Sequence, residues 1–242
     1  MQSFSKILLA SAVAAVLSTP AMAADSPWSS SAELGAVWTT GNTETNSINA
    51  SLETKYTQDV WAAKARFDAL TGEEKDQTTN TTNTSKEKYK GLLQFDRNIT
   101  EDLYFTTQGW HERDRFSGFT YQSAVTAGLG YRVLSSDTQK LNIEVAPGYS
   151  RDRVKGGDVV DQGMGRFALS YFLQIREGVE LTEEFVAEAG SENGIYTSET
   201  ALKSQIAGNL ASKIYYKMKN VEHTAAERNT DNEFGVNLVY NF

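Results

Sequence analysis

The stretch Thr120-Tyr121-Gln122-Ser123-Ala124-Val125-Thr126-Ala127-Gly128-Leu129-Gly130-Tyr131-Arg132-Val133 decides the architecture. Its odd positions form a nearly apolar stripe of Tyr121, Val125, Ala127, Leu129, Tyr131 and Val133. Its even positions carry Gln122, Thr126 and Arg132 with small residues between them. A period of two is that of a β-strand with one apolar face. The alternation also outlasts the roughly 5–6 residues of a strand in a soluble protein.

The same period recurs along the chain. Ile48, Ala50, Leu52 and Tyr56 interleave with Asn49, Ser51, Glu53 and Lys55. Trp61, Ala63, Ala65 and Phe67 interleave with Lys64, Arg66 and Asp68. The segments so marked span 28–39, 45–57, 60–70, 87–97, 102–112, 120–133, 140–151, 164–175, 179–189, 197–206, 210–221 and 231–242. Each is close to the 9–11 residues that a tilted strand needs to cross a bilayer. The even number fits a bacterial single-chain barrel.

The connections alternate as well. Short ones lie near Gln58-Asp59, Asn98 to Glu101, Ser135 to Gln139, Arg176 to Gly178 and Ala207 to Asn209. Longer polar ones lie near 71–86, 113–119, 152–163, 190–196 and 222–230, and the first hairpin, Thr40 to Thr43, is the shortest on that side. Short turns on one side and long loops on the other are the outer-membrane arrangement. The apolar-free run from Gly72 to Lys86 reads as a mobile loop.

Composition agrees. The 242 residues carry 23 Lys plus Arg against 31 Asp plus Glu, a formal charge of −8, with no cysteine. Zero Cys excludes disulfides and thiolate metal sites, and the acidic balance argues against nucleic acid. Residues 1–23 read as a secretory signal peptide: Lys6, an apolar run from Ile7 to Leu17, then Ala21-Met22-Ala23 as a cleavage pattern. The run is too short for a ~30 Å span. Residues 24–242 then form the barrel domain.

Alternation alone does not separate a soluble sandwich from a transmembrane barrel. Strand length favours the barrel. So do the aromatics near segment ends (Trp28, Trp38, Tyr56, Trp61, Tyr89, Phe95, Tyr104, Trp110, Tyr131 and Tyr149), which suggest interface girdles. The ending Phe234, Val236, Leu238, Tyr240, Phe242 is apolar at every second position, and its resemblance to the endings of outer-membrane barrels implies a C-terminal signal for the barrel assembly machinery. Two segments fit less well. In 179–189, Glu183 shares parity with Val179, Leu181 and Phe185, which points to a bulge or a different register. Segment 102–112 has apolar residues on both parities, and Tyr104 and Trp110 are expected to face outward.

The polar parity should line the lumen. It brings inward the bases Lys64, Arg66, Lys88, Lys90, Arg132, Arg166, Lys213 and Lys217 and the acids Glu53, Glu144 and Glu184, among others of both signs in near balance. Such balance suggests ion pairs filling much of the interior, whereas a selective pore usually shows a ring of one sign. Signals for chemistry are weak. No nucleophile elbow, zincin, P-loop or dinucleotide pattern occurs. His111 beside Glu112, Arg113 and Asp114 is the constellation that would support the rival reading, a lipid or lipopolysaccharide hydrolase at the external rim; His223 lies on the far side of the barrel. Asp152, Asp158 and Asp161 lack the spacing of a calcium loop. No enzyme activity, cofactor or metal is expected.

The chain resembles the YdiY-like family of salt-induced outer-membrane proteins, a domain of unknown function. The stretches that carry the resemblance are Thr40-Gly41-Asn42-Thr43, Arg113-Asp114-Arg115-Phe116-Ser117-Gly118-Phe119, Gly128-Leu129-Gly130-Tyr131, Ala146-Pro147-Gly148-Tyr149 and the ending from Asp231 to Phe242. It implies an outer-membrane location and salt-linked expression and brings no catalytic residues. The expectation is a monomeric twelve-stranded barrel in the cell outer membrane, in contact with its lipid and lipopolysaccharide. It would serve as a narrow passive channel or a structural envelope protein.

Overall fold

The computed structural model describes residues 26–40, 45–75, 82–222 and 230–242. The segment read above as a signal peptide, the tip of the first hairpin and His223 lie outside the described residues. The strands are β1 (Trp28–Thr40), β2 (Thr45–Gln58), β3 (Trp61–Lys75), β4 (Thr82–Asn98), β5 (Leu103–Asp114), β6 (Phe119–Ser135), β7 (Gln139–Val154), β8 (Val159–Arg176), β9 (Val179–Gly190), β10 (Gly194–Ala207), β11 (Leu210–Glu222) and β12 (Thr230–Asn241). Each pairs antiparallel with its sequence neighbours, and β1 pairs with β12 from Ser31↔Asn241 to Thr40↔Asn232, closing a barrel. Closure satisfies every ladder and leaves no edge, a condition for crossing hydrocarbon with strands.

The burial is inside out. Leu34, Leu52, Phe67, Leu93, Val125, Leu129, Val145, Phe167, Ile214 and Leu238 point outward and are exposed. The buried side chains include Gln94, Thr106, Gln108, Glu112, Gln122, Gln162, Arg166, Glu188 and Asn237. Water-soluble monomers rarely present so continuous an apolar surface; a barrel whose outer wall meets lipid does. The soluble-sandwich alternative fails on this point.

Aromatic residues mark two outer belts. On the turn side Trp28 packs on Tyr56, the Arg97 guanidinium lies over Trp61, and Tyr240 meets Phe242 edge-on. Toward the loop side Trp38 meets Phe234 and Phe67 stacks on Tyr89. The Phe242 amide donates to the Ser30 carbonyl at 2.8 Å, so the last residue is held against the first strand.

The loop-side strand ends run beyond the sequence reading. β3 continues to Lys75 and β4 begins at Thr82, so most of the polar run expected as a mobile loop is barrel wall. β7 and β8 meet in a tight turn at Lys155 to Asp158, with Gly156 at φ 67. Backbone pairing does not need apolar side chains, so the ladder extends past the point where lipid contact ends. At about 3.3 Å per residue and a tilt near 45°, the 18 residues of β8 rise about 40 Å, more than the hydrocarbon core.

Two local expectations are corrected. Tyr104 and Trp110 face inward, not outward, and are buried. β5 places Thr106, Gln108 and Glu112 on their parity, and those polar groups prefer the lumen more strongly than two aromatic rings prefer lipid. In β9 the register is regular through Glu183, and its irregularity lies at the β8 end, between Gln174 and Arg176. Glu183 stays on the outer parity, where Ser198 Oγ (2.7 Å) and Thr200 Oγ1 both donate to its carboxylate.

Candidate functional site in the lumen

Glycines on the inner wall make room for large side chains. Tyr104 stands directly opposite Gly130, and Tyr215 directly opposite Gly235. A Cβ on either glycine would overlap the facing ring. The two tyrosines thus lie flat on bare backbone. Gly35 gives way to Asn237 in the same manner, and Asn237 Nδ2 donates to Glu33 at 2.9 Å.

Polar side chains cross the lumen in layers. Nearest the turns, Arg132 donates to the Glu101 carbonyl and to Asn98 Oδ1, each at 2.6 Å, and its guanidinium lies over the Tyr104 ring. Above it, Glu144 accepts from Arg166 Nη1 (2.7 Å), Tyr104 Oη (2.9 Å) and Gln94 Nε2 (3.3 Å), joining β4, β5, β7 and β8. Thr106 and Gln94 also donate to Asp96. The Trp110 indole N–H donates across the lumen to Glu188 at 2.9 Å.

The loop-side half holds two ionic clusters. Glu112 receives Lys219 at 3.0 Å, Lys88 at 3.5 Å and Lys90 at 4.0 Å. Lys213 joins Glu33 (3.4 Å) and Glu199 (3.1 Å), and Lys217 also reaches Glu199 (3.8 Å). On the adjoining wall Arg66 bridges Glu53 (3.4 Å) and Asp68 (2.9 Å). At the mouth, Asn193 in the β9–β10 connection donates to buried Asp152 at 2.9 Å.

Cavities remain between these layers. One of about 310 Å³ lies toward the turns, and one of about 270 Å³ lies toward the loops. Lys64, Arg166, Glu184 and Val186 border both. Arg132 and Glu144 line the turn-side cavity, and Glu53, Arg66, Lys88, Lys90, Lys213 and Lys217 line the loop-side one. Each lumen residue singled out from the sequence therefore borders one cavity or both.

Sequence reasoning missed Glu112 and Glu199. Glu112 was grouped with its chain neighbours, but a pleat sends it inward while His111 and Arg113 point out. The His111–Glu112–Arg113–Asp114 run is thus split between two faces. His111 Nδ1 instead pairs with Ser123 Oγ at 2.7 Å on the outer wall. Asp152, read as a loop acid, is a buried strand residue. Asp161 pairs with Arg151 at 3.7 Å. Among the described residues these acids form no metal-binding group.

Comparison with known proteins agrees with this architecture. The chain resembles the translocator domain of autotransporter NalP from Neisseria meningitidis, with a TM-score of 0.54, 8% identity, and coverage of 100% of this chain and 96% of that one. It also resembles the COG4313 outer membrane channel from Pseudomonas putida F1, with a TM-score of 0.56, 8% identity, and coverage of 93% and 99%. Identities this low speak for the fold alone. In sequence, the chain is 25% identical over 227 residues to the uncharacterized protein YdiY of Escherichia coli (strain K12), covering 93% of this chain and 87% of that one. The family model described as protein of unknown function DUF481 matches residues 32–242. The chain is accordingly a member of the DUF481 family, built as an outer-membrane-type β-barrel.

Proposed function

We propose that the protein resides in the bacterial outer membrane as a monomeric, charge-braced barrel that passes at most water and small ions. The observation that carries this reading is the crossing of the lumen by carboxylates held from non-adjacent strands, one by an ammonium group and two by neutral donors. Glu112, Glu144 and Glu188 each bind a side chain from a non-adjacent strand, at 2.9–3.0 Å. Among the described residues acids and bases mix along the lumen, with no ring of one sign, which a strongly selective pore would use. The exposed apolar wall and the aromatic belts support membrane insertion. The resemblance to salt-induced proteins adds an expectation of salt-linked expression.

Fractionation and planar-bilayer recording test the proposal. The purified protein is expected in the outer-membrane fraction, with heat-modifiable migration. Its single-channel conductance at neutral pH should be small and weakly selective. A large, strongly cation-selective conductance would sink the braced-lumen reading.

A further inference from the structure

The outer wall carries a feature that the lumen does not explain. At the loop-side rim of β5–β7, outward strand positions hold Arg113, Arg151 and Arg153, all exposed, with exposed Arg115 and Lys155 in the adjoining turns. The three strand arginines fall in two rows across the strands. His111, Ser123 and Arg151 are in register, and in the row above Arg153 faces Tyr121 while Arg113 follows His111 by one pleat. Arg113 and Arg153 thus flank Tyr121 two strands apart, about 10 Å between backbones. Carboxylates engage only part of this set: Glu87 takes Arg115 at 3.0 Å, and Asp161 takes Arg151 at 3.7 Å. Among the described residues neither Arg113 nor Arg153 has a carboxylate within 4 Å. Among the described residues, outward rim positions on β2 and β10–β12 are neutral or acidic, as at Asn46, Tyr196, Asn220, Glu222 and Asn232.

Directly below the rows the wall turns apolar and smooth. Val125 and Tyr149 point outward there, in register with Gly109 and Gly163; a Cβ at Gly163 would meet nothing, and one at Gly109 only the Ala124 carbonyl at 3.9 Å. We infer that this face binds the phosphate groups of a phosphorylated glycolipid in the loop-side leaflet, the lipid A part of lipopolysaccharide, with its acyl chains along the wall below. Guanidinium groups match phosphate bidentately, and the rows sit at headgroup height, above the apolar band. The inference rests on the outer-membrane reading above.

The test compares wild type with R113Q/R153Q, both exposed positions. Each protein is inserted into phosphatidylcholine vesicles containing either lipopolysaccharide or its dephosphorylated form. Heat-modifiable migration reports insertion, and native mass spectrometry after mild detergent extraction reports retained lipid. Wild type should retain the phosphorylated lipid at least about tenfold over the dephosphorylated one, and the variant should lose that preference, since two charge-assisted pairs are removed. Equal retention of both lipids, a variant unchanged from wild type, or displacement of lipid by inorganic phosphate alone would each overturn the site. Failure of wild type to insert would overturn the membrane reading and the site with it.

Discussion

Lys219 on β11 and Glu112 on β5 stand on opposite sides of the closed strand order, yet Nζ and Oε1 are 3.0 Å apart. The combined reach of a long lysine and a glutamate spans the lumen here. The pair acts as a tie rod between two halves of the barrel. Lys88 and Lys90 converge on the same carboxylate from β4.

This hub predicts an asymmetry. Glu112→Gln leaves three ammonium groups around an uncharged amide, and removing one member of a buried ionic group typically costs about 3–5 kcal/mol. Lys219→Met leaves Glu112 still paired with Lys88 and Lys90 and should cost clearly less. Denaturant unfolding of the vesicle-inserted barrels should rank wild type above Lys219→Met above Glu112→Gln.

The two faces of the wall should respond oppositely to a new charge. Leu129 points into lipid, where arginine costs about 2–4 kcal/mol near mid-membrane. Asn142 borders the turn-side cavity, where an added cation finds polar company. Leu129→Arg should reduce folding yield in vesicles while Asn142→Arg folds normally. Equal yields would contradict the inside-out assignment.

Gly235 and Tyr215 predict a packing effect. A methyl at Gly235 must displace the Tyr215 ring, and overpacking of this kind costs about 1–3 kcal/mol. Gly235→Ala should destabilise the barrel in wild type. In a Tyr215→Ala background the same change should be nearly neutral, because the obstructing ring is gone. A full additive loss in the double variant would show that the ring contact is not the cause.

The fold was legible because a barrel in lipid obeys one strict rule, the period of two, in every strand from Ile48–Tyr56 to Phe234–Tyr240. Where the rule failed, it failed for a physical reason. Segment 102–112 was misassigned because Tyr104 and Trp110 look like girdle residues. Their lumen role depends on Gly130 and Glu188, which lie on other strands. The strand ends on the loop side were underestimated because polar sequence there is compatible with pairing. Parity gave the charged lining, but the pairing pattern was not readable. Side-chain reach across a lumen, as from Lys219 to Glu112, has no signature in local sequence.

The C-terminal aromatic predicts an assembly defect. Phe242 holds its backbone to Ser30 and its ring to Tyr240 at the closing seam. Deleting it should lower the amount of barrel in the outer membrane while secretion across the inner membrane continues. Normal outer-membrane levels of the truncated protein would remove Phe242 from any signal role.

Acidification should reverse the electrical character of the lumen. At neutral pH acids and bases are paired, as at Glu112 with its three lysines and at Glu144 with Arg166. Carboxylates titrate near about 4 in their ordinary range. Below it the acids become neutral while lysine and arginine keep their charge, so the lumen becomes net positive. The cations then face fewer carboxylates and repel one another. Any measurable current should therefore rise and turn anion-selective between pH 7 and pH 3. Glu112→Gln should already show part of that anion preference at pH 7, since it removes one negative charge from the same cluster. Reversal-potential recordings in asymmetric salt provide the measurement. A current whose selectivity is the same at both pH values, in wild type and variant alike, would mean that ions pass without meeting these side chains.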